Sequence, residues 1–234
     1  MKALIVSFLA VSALGLPQAG QAAHAGFPAP DRPVAEIVSP IWASGPERDA
    51  ADESGQLVRG LGIRKGMAVA DIGAGSGFHT LRLAPVVGTT GRVYAQDVTE
   101  TYLADLRREV AKRKLANVTL VLGKPDDAAI PPASVDRAIL VHMYHEITQP
   151  YALLWNLAGS LKPGGKVGVV DLDRRPEYHG TPPSLLRCEF EAVGYRQIGF
   201  QQLEGGVGYL ATFEPPAKGK LPAPDAIKPC RQKR

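Results

Sequence analysis

Two extended stretches near the end of the chain, YRQIGFQQL (195–203) and VGYLATFE (207–214), are separated only by Glu204, Gly205 and Gly206. So short a link permits only an antiparallel hairpin, because parallel neighbours need a crossover of about a dozen residues or more. Upstream the pattern is different. From Gly66 onward, short apolar and β-branched runs alternate with helical stretches. MAVAD (67–71), RVYAQD (92–97), VTLVL (118–122) and SVDRAILVH (134–142) read as strands. FHTLRLAPVV (78–87) and TYLADLRREVAKRK (101–114) read as helices, the second with Leu103, Leu106 and Val110 on one face. PYALLWNLAGSL (150–161) is a helix with Pro150 in its first turn and Leu153, Leu154, Leu157 and Leu161 as its buried stripe. LKPGGKVGVVDL (161–172) then turns through Pro-Gly into a fifth strand. Strands separated by helices imply a parallel sheet with crossover connections. The expected fold class is therefore α/β: a doubly wound, seven-stranded, mostly parallel sheet ending in an antiparallel hairpin. Residues 26–65 are expected to form a helical cap of two short helices over the ligand edge of that sheet.

In open α/β sheets, ligands bind beyond the carboxyl ends of the strands, at the switch in strand order. The first strand ends at Asp71, and Gly73-Ala74-Gly75-Ser76-Gly77 leads into the next helix. Glycines spaced so closely let the backbone pass near a ligand and offer amides beside a helix N-terminus. The second strand ends at Asp97, followed by Val98. A carboxylate there can accept hydrogen bonds from two hydroxyls of a ribose, each worth about 1.5–3 kcal/mol. Nicotinamide cofactors use similar geometry, but their G-x-G-x-x-G fingerprint would place its last glycine at position 78, which is Phe78. The hairpin disfavours that reading as well.

The ends of the chain read differently from its middle. Lys2, an apolar run from Ala3 to Leu16 and small residues ending Ala23-His24-Ala25 have the order of a secretory signal peptide over residues 1–25, cut after Ala25 or Ala23. The expected localisation is periplasmic or secreted. Of the net charge of +4, residues 215–234 carry +5, with six Lys/Arg against one Asp, so residues 26–214 are mildly acidic. A Pro- and Lys-rich tail with little to bury is expected to be disordered, with at most a weak contact to a membrane surface. Nucleic acid is not an expected partner, because a basic footprint should sit on folded structure. Cys188 and Cys230 could pair in an oxidising compartment and pin the tail to the body.

With these features in order, the sequence resembles the class I S-adenosylmethionine-dependent methyltransferases. VADIGAGSG is similar to their first motif, VYAQDV to their ribose-binding acidic strand, VDRAILVHMYHEI to their fourth strand and LKPGGKVGVVDL to their fifth, and the hairpin to their reversed last pair. The resemblance covers about Asp49 to Glu214. It implies S-adenosyl-L-methionine as cofactor, with Asp71 and the turn Gly73, Gly75, Gly77 at the methionine moiety and Asp97 with Val98 at the ribose. The family's third motif is usually Gly-Asp; here Gly123 precedes Lys124, and Asp126 is the residue expected to reach the adenine. The segment after the fourth strand would face cofactor and acceptor, with His142 at the cofactor, His145 as base or acceptor-positioning residue and Tyr144 shaping the pocket.

A methyl sulfonium is already activated, so such enzymes work largely by placing the nucleophile in line. A base is needed only for an acceptor that carries a proton. His142, His145 and Glu146 are also metal-type donors, but residues 142 and 145 would leave opposite faces of a continuing strand. No metal is expected. Asp171, Asp173 and His179 border the acceptor in one reading; in another, the loop around Pro176–Pro183 is a lid. Arsenic-methylating relatives hold their substrate through several cysteine thiolates, which two cysteines do not supply. The expected acceptor is a small molecule, with a lipophilic or aromatic acceptor, as in quinone-type relatives, resting on analogy. The alternative is an exported protein that keeps the fold as a non-catalytic binding scaffold.

Overall fold

The computed structural model describes residues 26–37 and 45–231; the segment read as a signal peptide lies outside the described residues. Two helices, α1 (Gly45–Ala50) and α2 (Glu53–Leu61), precede the sheet. The strands are β1 (Ala68–Ile72), β2 (Arg92–Asp97), β3 (Val118–Leu122), β4 (Val135–Val141), β5 (Leu161–Asp171), β6 (Arg196–Gln202) and β7 (Tyr209–Glu214). Between them run α3 (Thr80–Val87), α4 (Glu100–Lys112), α5 (Pro150–Ser160) and α6 (Pro183–Ala192). The sheet order is β3-β2-β1-β4-β5-β7-β6. β1 to β5 are mutually parallel, and β7 runs antiparallel to both β5 and β6, so the hairpin closes the sheet as its three-residue link requires.

Alternation along the central strands fills both faces. Val69, Ile139 and Val170 meet Leu57 and Leu61 of α2 and Leu83 and Val87 of α3. Ala70, Ile72, Leu140 and Val169 meet Leu153, Leu154 and Leu157 of α5 and Phe190 of α6 on the other face. Fully burying one such leucine contributes about 1.5–3 kcal/mol, so the two apolar layers fasten helices to both faces of the sheet. The expected cap helices do more than cover an edge: α2 packs on the sheet face, while α1 reaches toward the strand ends. The chain leaves β1 toward β2 and β3, then crosses back to β4 and β5. That reversal opens a crevice above the carboxyl ends of β1 and β4.

Three segments differ from the sequence expectations. The fourth strand ends at Val141, because His142 adopts φ 53, and residues 144–146 form a 3-10 turn. The presumption of a strand continuing through His145 is therefore corrected. The fifth strand spans its own Pro-Gly turn, with a register shift between Val135 and Arg137 of β4.

The third is the tail, expected to be disordered, whose residues 215–231 lie packed on the body. The Trp155 indole N–H donates to the Pro222 carbonyl at 3.0 Å, and the Cys230 amide donates to the Tyr151 hydroxyl at 2.7 Å. Ile227 is buried, and Cys188 on α6 is disulfide-bonded to Cys230. Prolines lower the entropy lost on ordering, and the covalent link supplies the anchor that a short apolar content would not. Among the described residues, no helix is long and apolar enough to cross a membrane.

Candidate active site

The glycine turn sits in the crevice, and its geometry explains its composition. Gly73, Gly75 and Gly77 have φ of +68, +54 and +92, in the left-handed region that an L side chain rarely occupies. A Cβ on Gly77 would lie 2.2 Å from Leu106 Cδ1 of α4, so that position is closed by packing. A Cβ on Gly75 would meet nothing within 4 Å: here the backbone is bare toward the cleft.

The turn's amides are not simply held out to a ligand, as the sequence suggested. Gly75 N–H donates to Asp97 Oδ2 at 2.8 Å, Ala74 N–H to the Gln96 carbonyl at 2.8 Å, and Gly77 N–H to the Ala74 carbonyl at 2.9 Å. The first two tie the end of β1 to the end of β2, and the third closes the turn on itself. Asp97 is 6% exposed, and its Oδ1 accepts the Thr99 N–H at 2.8 Å. A carboxylate has about four lone-pair sites, so two remain for a diol in the cleft.

Asp71 also lines the cleft, but it is buried and accepts the Thr80 hydroxyl at 2.6 Å. Burial pushes its carboxyl upward, against the pull of His79 and Thr80.

A group that the sequence did not announce comes from the cap. Glu53, at the start of α2, is fully buried; it accepts Arg48 Nε and Nη2 at 3.0 and 2.6 Å and lies 3.0 Å from His79 Nε2. His142 Nε2 is 3.6 Å away. Burial pushes the Glu53 carboxyl up, but hydrogen bonding from His142, His79 and Arg48 outweighs it and holds Glu53 far below the usual carboxylate range. Burial lowers His142, with Glu53 opposing, so this imidazole is neutral at pH 7. The Arg48 guanidinium carbon stands 3.8 Å from the centroid of Phe78, with Arg82 on the same ring at 3.7 Å. Arg48, Phe78, His79 and His142 all line the cleft. No spacing rule links residues 48 and 53 to 79 and 142, which is why the signal was absent.

Beyond β4 the expected residues separate. His142 and Glu146 line the cleft, whereas Tyr144 and His145 do not. Tyr144 is fully buried in the core, 5.6 Å from the ring of Phe190, under the Arg32 guanidinium. The expected role of Tyr144 in shaping the pocket is corrected accordingly. His145 is 2% exposed, with Nδ1 3.1 and 3.2 Å from the two Asp171 oxygens, one layer behind Glu146. At the β2–β3 end, Val98, Tyr102, Lys124 and Pro125 line the cleft, and Asp126 does not. The Asp126 carbonyl accepts the Asn156 side chain instead. The loop after β5 is anchored rather than free as a lid: the Thr181 hydroxyl donates to Asp171 at 2.7 Å, and its carbonyl accepts the Tyr209 hydroxyl at 2.6 Å.

The sheet order thus lays out an elongated cleft: an exposed apolar rim at β2–β3, a buried carboxylate at Asp97, a bare turn at β1, and polar groups after β4. Residues 69–165 match the methyltransferase domain family model. Among curated proteins, the chain is 29% identical over 109 residues to the protein-L-isoaspartate O-methyltransferase of Methanothrix thermoacetophila, covering 47% of this chain and 49% of that one. It is 28% identical over 138 residues to the demethylmenaquinone methyltransferase of Geobacillus sp., covering 59% and 53%. The chain spans about half the length of these curated relatives. Its fold is that of a SAM-dependent methyltransferase from Aquifex aeolicus, with TM-score 0.66 and 24% identity over 72% of this chain and 92% of that one. Residues 69–165 therefore carry a methyltransferase-type domain on the fold of S-adenosylmethionine-dependent methyltransferases, and S-adenosylmethionine is the cofactor that this likeness supports. The site fits that cofactor: Asp97 keeps accepting capacity for a ribose, Gly75 is open where a Cβ would intrude, and Arg48 brings a cation near the turn where an amino-acid carboxylate would lie.

Proposed function

We propose that the protein transfers a methyl group from S-adenosylmethionine to a small-molecule acceptor. The observation that carries this reading is Asp97, a buried carboxylate fixed by the Gly75 and Thr99 amides in the wall of a cleft whose neighbouring backbone is bare. When bound, the cofactor supplies an electrophilic methyl group. Asp97 would hold the ribose diol, the turn and Arg48 the amino-acid end, and Val98, Tyr102 and Pro125 the adenine. Asp126 is replaced in that last role by apolar contacts. The acceptor belongs beyond β4, against His142, Met143 and Glu146, where neutral His142 can take a proton from an acceptor that carries one. His145 stands behind Glu146 and is given no contact with substrate. The likeness to quinone C-methyltransferases supports a small aromatic acceptor; the cleft's apolar rim is consistent with one.

Calorimetric titration with S-adenosylhomocysteine should give a dissociation constant of about 1 µM or tighter, near −8 kcal/mol. Asp97→Ala should weaken it about tenfold or more; identical curves would remove the ribose assignment. A scaffold that had lost its pocket would give no heat with either chain.

We further propose that the protein works outside the cytosol, on the order of residues 1–25 and the Cys188–Cys230 bond. The intact mass of protein from its native host, alkylated without reduction, should correspond to a chain starting at Gly26 or His24 with no labelled thiol. A chain starting at Met1 with two labels would contradict export.

A further inference from the structure

Behind the cleft wall, two separate segments bring three donor side chains together. His145 and Glu146 come from the 3-10 turn after β4, and His179 from the loop between β5 and α6. One donor atom from each lies within 4.8 Å of the other two. His179 is the donor that the spacing of His142, His145 and Glu146 lacked. His142 itself faces Glu53 instead.

Two independent observations suggest that this cluster is built for a ligand. First, His145 is oriented from behind. Its Nδ1 faces the Asp171 carboxylate at 3.1 Å, and Asp171 is itself fixed by the Thr181 hydroxyl at 2.7 Å and the Leu172 amide at 2.9 Å. With Nδ1–H committed to a carboxylate, a neutral imidazole presents its Nε2 lone pair, here 4.0 Å from Glu146 Oε1. A carboxylate on the outer nitrogen is the arrangement that orients metal-bound histidines and raises their basicity. Second, His179 Nδ1 is buried and has no hydrogen-bond partner among the described residues. A buried polar atom of that kind calls for an unseen partner.

We propose that His145, Glu146 and His179 bind one divalent transition-metal ion of the zinc type, with Asp171 orienting His145 from behind. Two imidazoles and one carboxylate suit zinc-like ions, whereas magnesium and calcium prefer all-oxygen shells. Three protein ligands leave a fourth position open. Tetrahedral donors about 2.1 Å from an ion stand about 3.4 Å apart. From a widest separation of up to 4.8 Å, the set closes by at most about 1.4 Å, within the reach of side-chain rotation. Glu146 also lines the cleft, so the open position lies toward the acceptor end. If methyl transfer is the reaction, the ion holds an acceptor oxygen and lowers its pKa, a role that rests on that reading. Binding of the ion does not.

The test is a titration of zinc chloride into tag-free, full-length, chelator-treated protein, with cobalt(II) absorption as a second readout. The expected result is one zinc per chain and the visible spectrum of four-coordinate cobalt. His179→Ala and Glu146→Gln should each weaken zinc by about tenfold or more, while circular dichroism stays that of the parent. Two variants guard against one failing to fold. No zinc bound by the parent, or parent-like binding by both folded variants, would overturn the proposal. S-adenosylhomocysteine titrated into the same metal-free samples separates failure of the metal site from failure of the methyltransferase reading.

Discussion

Glu53 is fully buried with Arg48, His79 and His142 around it, and the stability of the site depends on that balance. Glu53→Ala leaves a buried guanidinium beside two imidazoles. It should cost about 3–5 kcal/mol in urea denaturation, against less than about 0.5 for an exposed carboxylate such as Glu204. The pH dependence follows from the shifts. The folded value of Glu53 lies below its unfolded 4.5, so the stability it contributes is complete above that pH and is lost as pH falls. His142 lies below 6.5 when folded, so it resists protonation and its contribution also drains away on acidification. Asp71, raised above 3.8, has the opposite sign and loses stability as pH rises. The melting temperature should therefore fall between pH 7 and pH 4, and below pH 4.5 it should fall less steeply in Glu53→Gln. Parallel curves would contradict the assignment. Asp97 was legible in the sequence because a strand end fixes where its side chain points. Glu53 and Arg48 were not, because their partners are set by how α1 and α2 dock, which no local period records.

At the scale of elements, the turn between β1 and α3 separates packing from binding. Gly77→Ala must both hold φ +92 and displace Leu106, whereas Gly75→Ala meets only the left-handed penalty of about 1–2 kcal/mol. Denaturation should therefore show the larger loss for Gly77→Ala, and calorimetry should show Gly75→Ala folded yet weakened for S-adenosylhomocysteine. Equal stability losses would mean that Leu106 yields freely. Strands bounded by clear turn residues were read to the residue: β2 and β3 begin and end where the sequence places them. β4 was overextended because the run Val135–Val141 looks able to continue into His142. Only the positive φ at His142 turns the chain out of the sheet, and histidine does not advertise that torsion. Tyr144 and His145 were assigned to the cleft from the family resemblance of the segment after β4, and the 3-10 turn carries both behind the cleft wall.

Over the whole molecule, both ends of the described chain converge on the α5–α6 side. Arg32 donates to Glu189 of α6 at 2.8 Å with both side chains buried, and Asp31 pairs with Arg231 from the tail. Phe27 sits edge-on to Trp155 at 5.9 Å. The tail's composition suggested disorder because its few apolar residues are spread among prolines and lysines. What orders it is a covalent link across 42 positions, which composition does not weigh. Reduction, or Cys230→Ser, should lower stability by about 4 kcal/mol in the chain-entropy account, read as a shift in denaturation midpoint. An unchanged midpoint would mean that the tail contributes nothing to the fold. The central claim is that Asp97 grips a sugar diol beside a bare glycine turn, and a crystal structure with S-adenosylhomocysteine tests it most directly. Both ribose hydroxyls should lie within hydrogen-bonding distance of the Asp97 carboxylate, with the amino-acid end over Gly75; a nucleoside bound elsewhere, or a cleft closed by Arg48 and Phe78, would contradict it.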